Sequence, residues 1–137
     1  MNQEQVTEKL KELVGNKLYK GTLSSYAVES IKLGRSNYPV SNLLAYCNDF
    51  DLKVVMMDLT TEDCFYPKTV FDVHKILELL MDRYNIDTKA VYRKTSIHYT
   101  LPKSNQAENT KGAAPLSIKT LLAVCQVIHC DLLFGHN

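Results

Sequence analysis

A short stretch in the C-terminal half, residues 103–111, consists almost entirely of polar side chains that donate and accept hydrogen bonds. Asparagine and glutamine can each form paired hydrogen bonds with the edge of an adenine, and lysine can reach guanine or a phosphate. A helix over this stretch would therefore present groups suited to the major groove of duplex DNA. The candidate contact residues are Lys103, Ser104, Asn105, Gln106, Asn109 and Lys111, with Tyr99 before them as a candidate phosphate contact.

Residues 24–37 form a second candidate surface of the same kind. We predict a helix over 24–33, because Ser24 or Ser25 can accept hydrogen bonds from its first free N–H groups. Gly34 suits the left-handed position that ends a helix. Side chains just past that end are well placed for phosphate. The candidate contacts are Ser24, Ser25, Tyr26 and Glu29 on the helix, and Arg35, Ser36 and Asn37 after it.

The overall charge does not by itself indicate a nucleic-acid partner, since the net charge is only +1. Basic residues are nevertheless gathered near both candidate surfaces, in residues 15–38 and 87–112, whereas residues 49–63 are acidic. Positive charge in these places would meet the phosphates of a bound duplex. The alternative is that these are ordinary solvated helix faces, and charge alone does not decide between the two.

Two segments resemble each other closely, LLAYC at residues 43–47 and LLAVC at residues 121–125. Each follows the same order of features: a polar helix that ends in glycine, then a proline, then a serine that can cap the next helix. Self-similarity of this kind indicates a duplicated unit. The features are Gly34, Pro39 and Ser41 in the first segment, and Gly112, Pro115 and Ser117 in the second.

Apolar residues recur at helical spacing through most of the chain, whereas the valine-rich residues 51–58 predict one short strand. The expected fold is therefore mainly all-α. It divides into an N-terminal unit over residues 1–58, a linker over 59–68 and a C-terminal unit over 69–137. Helices are predicted over 3–18, 24–33, 41–50, 69–84, 88–95, 100–111 and 117–128.

Residues 24–52, SSYAVESIKLGRSNYPVSNLLAYCNDFDL, resemble the second part of a lambda-repressor-like (Xre-type) helix-turn-helix domain. In that family a recognition helix ends at a glycine. A short loop containing arginine or asparagine then leads to a proline and to an SxxxLL helix. Residues 73–134 follow the same plan more loosely. The resemblance implies a bundle of two helix-turn-helix units that place recognition helices in the major groove.

Two departures from the family pattern bear on which unit contacts DNA. Residues 14–21 should form the helix before the first recognition helix, yet a glycine breaks them and they lack the QxxLAxxxG pattern. Pro102 stands where the second recognition helix should begin smoothly. One of the two units can therefore be degenerate and not bind DNA.

The predicted strand at 51–58 bears on oligomeric state. Some antitoxin-type members of the family pair such a strand across a dimer, and an unpaired strand edge invites pairing of this kind. A symmetric homodimer would suit a palindromic operator. The strand can equally form an internal hairpin with residues 64–66, and the sequence leaves both arrangements open.

The residue patterns argue against an enzyme, a metal site and a membrane protein. The four cysteines have no zinc or redox spacing, and there is neither a nucleophile motif nor a phosphate-binding glycine loop. No stretch reaches the roughly 20 apolar residues of a membrane helix. We expect no catalytic residue, metal or cofactor, no membrane partner, and a cytoplasmic location.

The expected function is sequence-specific binding of duplex DNA by a homodimeric, repressor-like transcriptional regulator. The alternative is a protein-interaction module or an antitoxin-like regulator that reuses the helix-turn-helix fold, since a fold does not determine a function. Its partner would be a toxin or another regulator. The nearly neutral net charge favours this alternative.

Overall fold

The computed structural model describes residues 1–102 and 115–137, which form six helices and a three-stranded antiparallel sheet. The prediction of a mainly all-α fold is therefore wrong, because the protein has a mixed α and β architecture. The helices are α1 (Gln3–Val14), α2 (Ser25–Leu33), α3 (Val40–Asp49), α4 (Val70–Arg83), α5 (Thr88–Thr95) and α6 (Ile118–Val127). The strands are β1 (Leu52–Asp58), β2 (Cys64–Phe65) and β3 (Cys130–His136).

Helix boundaries follow local capping chemistry at most of the predicted positions. The Ser24 side chain accepts a hydrogen bond from the Ala27 N–H and begins α2, and Gly34 ends it in the left-handed conformation with φ 63°. Asp87 and Ser117 cap α5 and α6 in the same way as Ser24. The caps at Ser24 and Ser117 confirm the corresponding predictions, and all three caps depend only on residues close in sequence.

The predicted cap at Ser41 is wrong. Helix α3 begins at Val40, and its N-cap is Pro39, two positions before Ser41, without a side-chain hydrogen bond. The Val40 N–H instead donates to the backbone oxygen of Leu116, at 2.8 Å. A backbone group from the other half of the chain thus satisfies an N–H that a helix start leaves free.

The sheet has the strand order β2-β1-β3, with β1 in the centre. The predicted strand at 51–58 is confirmed as β1, and it forms the internal hairpin with β2, in which Met56 pairs with Phe65. Its other edge pairs along seven residues with β3 of the same chain, not with a second chain. Strand β3 was missed by the sequence analysis, and it accounts for much of the error in fold class.

The segments α3–β1 and α6–β3 are structural repeats separated by 78 positions, the same spacing that relates LLAYC to LLAVC. Both segments have equal element lengths, and the residues that join helix to strand, Asp51 and His129, have positive φ of 57° and 53°. Val55 pairs with Leu133, its own equivalent in the repeat. Pairing of equivalent residues in antiparallel strands places a pseudo-twofold axis at the centre of the β1–β3 ladder.

A second backbone pairing also joins two residues that are equivalent in the repeat. Pro39 and Ser117, again 78 positions apart, form an isolated antiparallel bridge. The Ile118 N–H donates to the backbone oxygen of Tyr38 at 2.9 Å, and this bond mirrors the one from Val40 to Leu116. The starts of α3 and α6 are therefore joined by an equivalent pair of hydrogen bonds, one from each half.

Both halves contribute to one hydrophobic core. Helix α1 packs against α2 and also contacts α6 and β3, while α4 contacts α3. The residues predicted as a linker, 59–68, include β2 and so belong to the edge of the sheet. The two units predicted from sequence both contribute to one sheet and one hydrophobic core.

Replacing Tyr38 with phenylalanine is expected to raise the free energy of unfolding by about 1 kcal/mol. The Tyr38 hydroxyl is buried and has no hydrogen-bond partner among the described residues, and leaving such a group unpaired costs about 1–3 kcal/mol. Burial raises the pKa of this hydroxyl. Urea unfolding measures the effect, with Tyr99→Phe as the matched control.

The control is expected to change stability in the opposite direction, by about 1 kcal/mol, because the Tyr99 hydroxyl is hydrogen-bonded to His74 at 2.7 Å. Equal destabilisation by the two substitutions would show that the Tyr38 hydroxyl has a partner in solution.

Candidate nucleic-acid interface

Helix α2 presents a polar face to solvent and an apolar face to the core. Val28 and Ile31 are buried, whereas Tyr26 is 80% exposed. The other exposed side chains of the helix are Ser25, Glu29, Lys32 and Leu33. The predicted candidates Ser25, Tyr26 and Glu29 therefore lie on one accessible helix face, which is the arrangement that base-edge contacts require.

The loop after α2 carries the next group of predicted contacts. Arg35 is exposed, and its guanidinium could reach a phosphate beside the helix. Glu29 forms an ion pair with Lys32 at 3.9 Å, so part of the positive charge of this surface is already balanced. The Ser24 side chain serves as the helix cap, a structural role that still leaves it exposed.

Contacts from two other helices hold this loop in place. The backbone oxygen of Ser36 accepts a hydrogen bond from the Gln3 side chain of α1, at 2.7 Å. The Asn37 side-chain oxygen accepts one from the Lys119 N–H at the start of α6, at 3.0 Å. The Asn37 oxygen is therefore committed to joining the two halves, a role that the sequence analysis did not foresee.

Gly34 determines how closely α1 approaches the end of α2. Its φ of 63° is a conformation that favours glycine, and a Cβ atom at this position would overlap the side chain of Thr7. This close approach lets α1 anchor the loop that carries Arg35. The glycine thus ends the helix and positions the residues that follow it.

Residues 14–21, where the family pattern expects the helix before the recognition helix, contain no helix beyond Val14, the last residue of α1. The Tyr19 ring stacks on Tyr46 at 6.0 Å, and its hydroxyl is bonded to the Asp49 carboxylate. Burial and this bond raise the pKa of Tyr19. The glycine-broken segment is thus tied to α3 through one aromatic side chain.

The structure does not support Tyr99 as a phosphate contact. Its side chain is only 5% exposed, its ring stacks on His74 at 5.8 Å, and its hydroxyl bonds the His74 Nδ1. Burial raises the pKa of this hydroxyl. The residue belongs to the core because α4, which carries His74, covers it.

The other predicted contacts in the second half lie outside the described residues. They are Lys103, Ser104, Asn105, Gln106, Asn109 and Lys111.

A basic surface on α5 was not among the predicted contacts. Lys89 and Arg93 lie one helical turn apart and line a shallow pocket with Thr88 and Thr100. The rings of Tyr92 and His98 stack at 4.1 Å along the same pocket. Its lining includes no carboxylate among the described residues. The available sequence signal was the four-residue spacing of Lys89 and Arg93.

Within residues 1–102 and 115–137, no group of three or more acidic, histidine or cysteine side chains is arranged to hold a metal ion. No helix in the same residues is both long and apolar enough to cross a membrane. Comparison with models of protein families, with curated proteins and with solved structures finds no match.

Proposed function

We propose that the protein is a cytoplasmic, repressor-like transcriptional regulator that binds duplex DNA in a sequence-specific manner. The observation that carries the proposal is α2, a short helix that Val28 and Ile31 anchor to the core and that presents a polar face to solvent. Its capped start, its end at Gly34 and the helix that follows resemble the part of the lambda-repressor-like layout that begins at the recognition helix.

The second support is the position of Arg35 and the backbone around it. Gln3 and Asn37 fix the loop from both sides, so a cationic side chain is displayed beside a rigid helix. Most hydrogen bonds between a protein and DNA are made to the sugar and phosphate groups of the DNA. These contacts set the register in which a recognition helix meets the bases. We assign Arg35 to phosphate and the α2 face to the base edges.

Replacing Arg35 with glutamine is expected to weaken binding to all duplexes by a similar factor and to reduce the slope of log affinity against log salt by about one. Fluorescence anisotropy with a mixed pool of labelled duplexes at two or more salt concentrations measures both effects. Lys53→Gln is the matched control. It removes the same charge from an exposed position on β1, opposite Gly135 in the ladder.

The intact protein is expected to bind the pool more weakly as salt rises, because neutralised phosphates release counterions. No binding even at low salt would refute the proposal. An equal loss of affinity in Lys53→Gln and Arg35→Gln would contradict the assignment of the interface, since the effect would then reflect net charge alone.

Alanine substitution of Asn105 and Gln106 is expected to relax base preference by about 1–3 kcal/mol for each paired hydrogen bond lost. Loss of Lys103 is expected to weaken all sequences alike, because a phosphate contact carries no base information. Binding to a selected duplex and to its single-base variants separates the two behaviours. A change of base preference in the Lys103 variant would contradict its phosphate role.

The second candidate function is a protein-interaction module, including an antitoxin-like regulator with a toxin as partner. The observation that favours it is the exposure of large apolar side chains on α2, where Tyr26 is 80% and Leu33 50% exposed. Apolar groups of this size suit a protein interface better than a phosphate-lined groove. Failure to bind any duplex, together with capture of one defined partner through this face, would favour this function.

A further inference from the structure

We infer that a single chain is the complete DNA-binding unit and that its target is one duplex with two unlike half-sites. This inference rests on the proposed function. Dimeric helix-turn-helix proteins place two equivalent units on DNA through a twofold axis between chains. In this protein an equivalent axis lies within one chain, and the unlike halves of that chain break its symmetry.

The internal axis is built from extensive contacts, which makes the two halves one body. Strands β1 and β3 pair along seven residues, from Leu52 with His136 to Asp58 with Cys130. The bridge between Pro39 and Ser117 adds a second pairing on the same symmetry relation. The β1–β3 ladder is also the densest contact between any two elements of the described residues.

The pairing of β1 with β3 occupies a strand edge at which two chains could otherwise pair. One edge of β1 is paired along its whole length with β3, and the other edge pairs with β2 at Met56 and Met57. Pairing of a second chain along the whole of β1 would therefore displace β3 or β2. The function of a partner strand is supplied by β3, which is the repeat equivalent of β1 in the same chain.

Equivalent grooves on the two halves show how far the symmetry extends. One groove lies between α3 and β1, and the other between α6 and β3, and the lining residues correspond at a spacing of 78 positions. The start of α4 borders the first groove and the start of α1 borders the second. The matched pairs are Leu44 with Leu122, Ala45 with Ala123, Cys47 with Cys125, Leu52 with Cys130 and Val54 with Leu132.

Among the described residues, the candidate DNA-facing surfaces of the two halves carry different groups. In the first half, the non-helical segment 15–24 precedes α2 and Arg35 follows α2. The second half has α5, whose Lys89 and Arg93 line the basic pocket beside the stacked Tyr92 and His98 rings. Paired cationic groups of this kind suit a phosphodiester. Unlike surfaces on a pseudo-symmetric frame favour an asymmetric target over a perfect palindrome.

The test combines stoichiometry with one variant in each half. A duplex selected from a randomised library by the intact protein is mixed with it, and the mass of the complex is measured by analytical ultracentrifugation. Binding is then measured for Arg35→Gln, for Arg93→Gln and for the double variant, with thermal unfolding as a check on folding. Lys53→Gln again serves as the charge control.

We expect one chain per duplex, a selected motif with two unlike halves, and loss of affinity from each arginine variant. Each substitution is expected to lower the salt slope by about one, and the double variant by about two. Two chains per duplex, a palindromic motif, or an Arg93 variant that binds like the intact protein would overturn the inference and leave the proposed function standing. Absence of any binding by the intact protein would instead remove the proposed function, and this inference with it.

Discussion

Replacing Asp58 with alanine is expected to lower the free energy of unfolding by about 3 kcal/mol or more, because breaking a buried ion pair typically costs about 3–5 kcal/mol. The Asp58 side chain is fully buried at the end of β1. It accepts hydrogen bonds from the Arg83 guanidinium at 2.7 Å, from the Tyr84 hydroxyl and from the Thr60 N–H. Alanine would leave several of these donors without an acceptor.

Asp63→Ala is the matched control, because the same arginine contacts both carboxylates. The Asp63 carboxylate lies 3.0 Å from the Arg83 guanidinium, but its side chain is 54% exposed. Exposed ion pairs contribute at most about 1 kcal/mol, so a small effect is expected. Urea unfolding of the two variants measures the difference, and equal losses of stability would contradict the central role of Asp58.

The same carboxylate is expected to make stability fall at acid pH. Burial opposes its ionisation, but the hydrogen bonds from Tyr84, the Thr60 N–H and Arg83 outweigh burial and hold the pKa well below its usual range. A carboxyl whose pKa is lowered on folding stabilises the protein above its unfolded pKa of about 3.9. That contribution is lost as the pH falls from about 4 toward the lowered value. In Asp58→Asn, the dependence of stability on pH in this range should be shallower.

Replacing Leu132 with alanine is expected to lower the free energy of unfolding by about 2–5 kcal/mol, the usual cost of truncating a buried leucine. Leu132 lies in the middle of β3, is 1% exposed and pairs with Met56 of β1. The cavity would open where the two halves meet in the core. Urea unfolding monitored by circular dichroism measures the loss.

Leu133→Ala is the matched control, because it makes the same change one residue along the same strand. Leu133 points to the opposite face of the sheet and is only partly buried. A clearly smaller loss is therefore expected. Equal destabilisation of the two alanine variants would contradict a strand over residues 130–136 in which Leu132 faces the core and Leu133 faces the opposite side of the sheet.

The position of β3 could have been predicted from the internal repeat of the sequence. The internal repeat relates LLAYC to LLAVC at a spacing of 78 positions. Extending it by the same 78 positions would have aligned the predicted strand β1 with residues 130–136. The local pattern there is weak, because Leu132 and Leu133 are apolar neighbours that do not alternate with polar residues. A second strand was therefore predictable from the repeat but not from local periodicity.

The sequence alone determined the features that depend on near neighbours. The caps at Ser24, Asp87 and Ser117 and the helix end at Gly34 involve backbone groups within a few residues, so residue type and spacing were sufficient. The position of β1 followed from its valines and flanking aspartates for the same reason.

Only the tertiary structure decided which distant segments meet. It brought Asn37 to the start of α6, buried Tyr99 beneath α4, and paired β1 with a strand 78 positions away. Each of these contacts depends on how separated elements pack together, and local propensity does not encode that geometry. The pseudo-twofold axis is therefore a property of the folded chain.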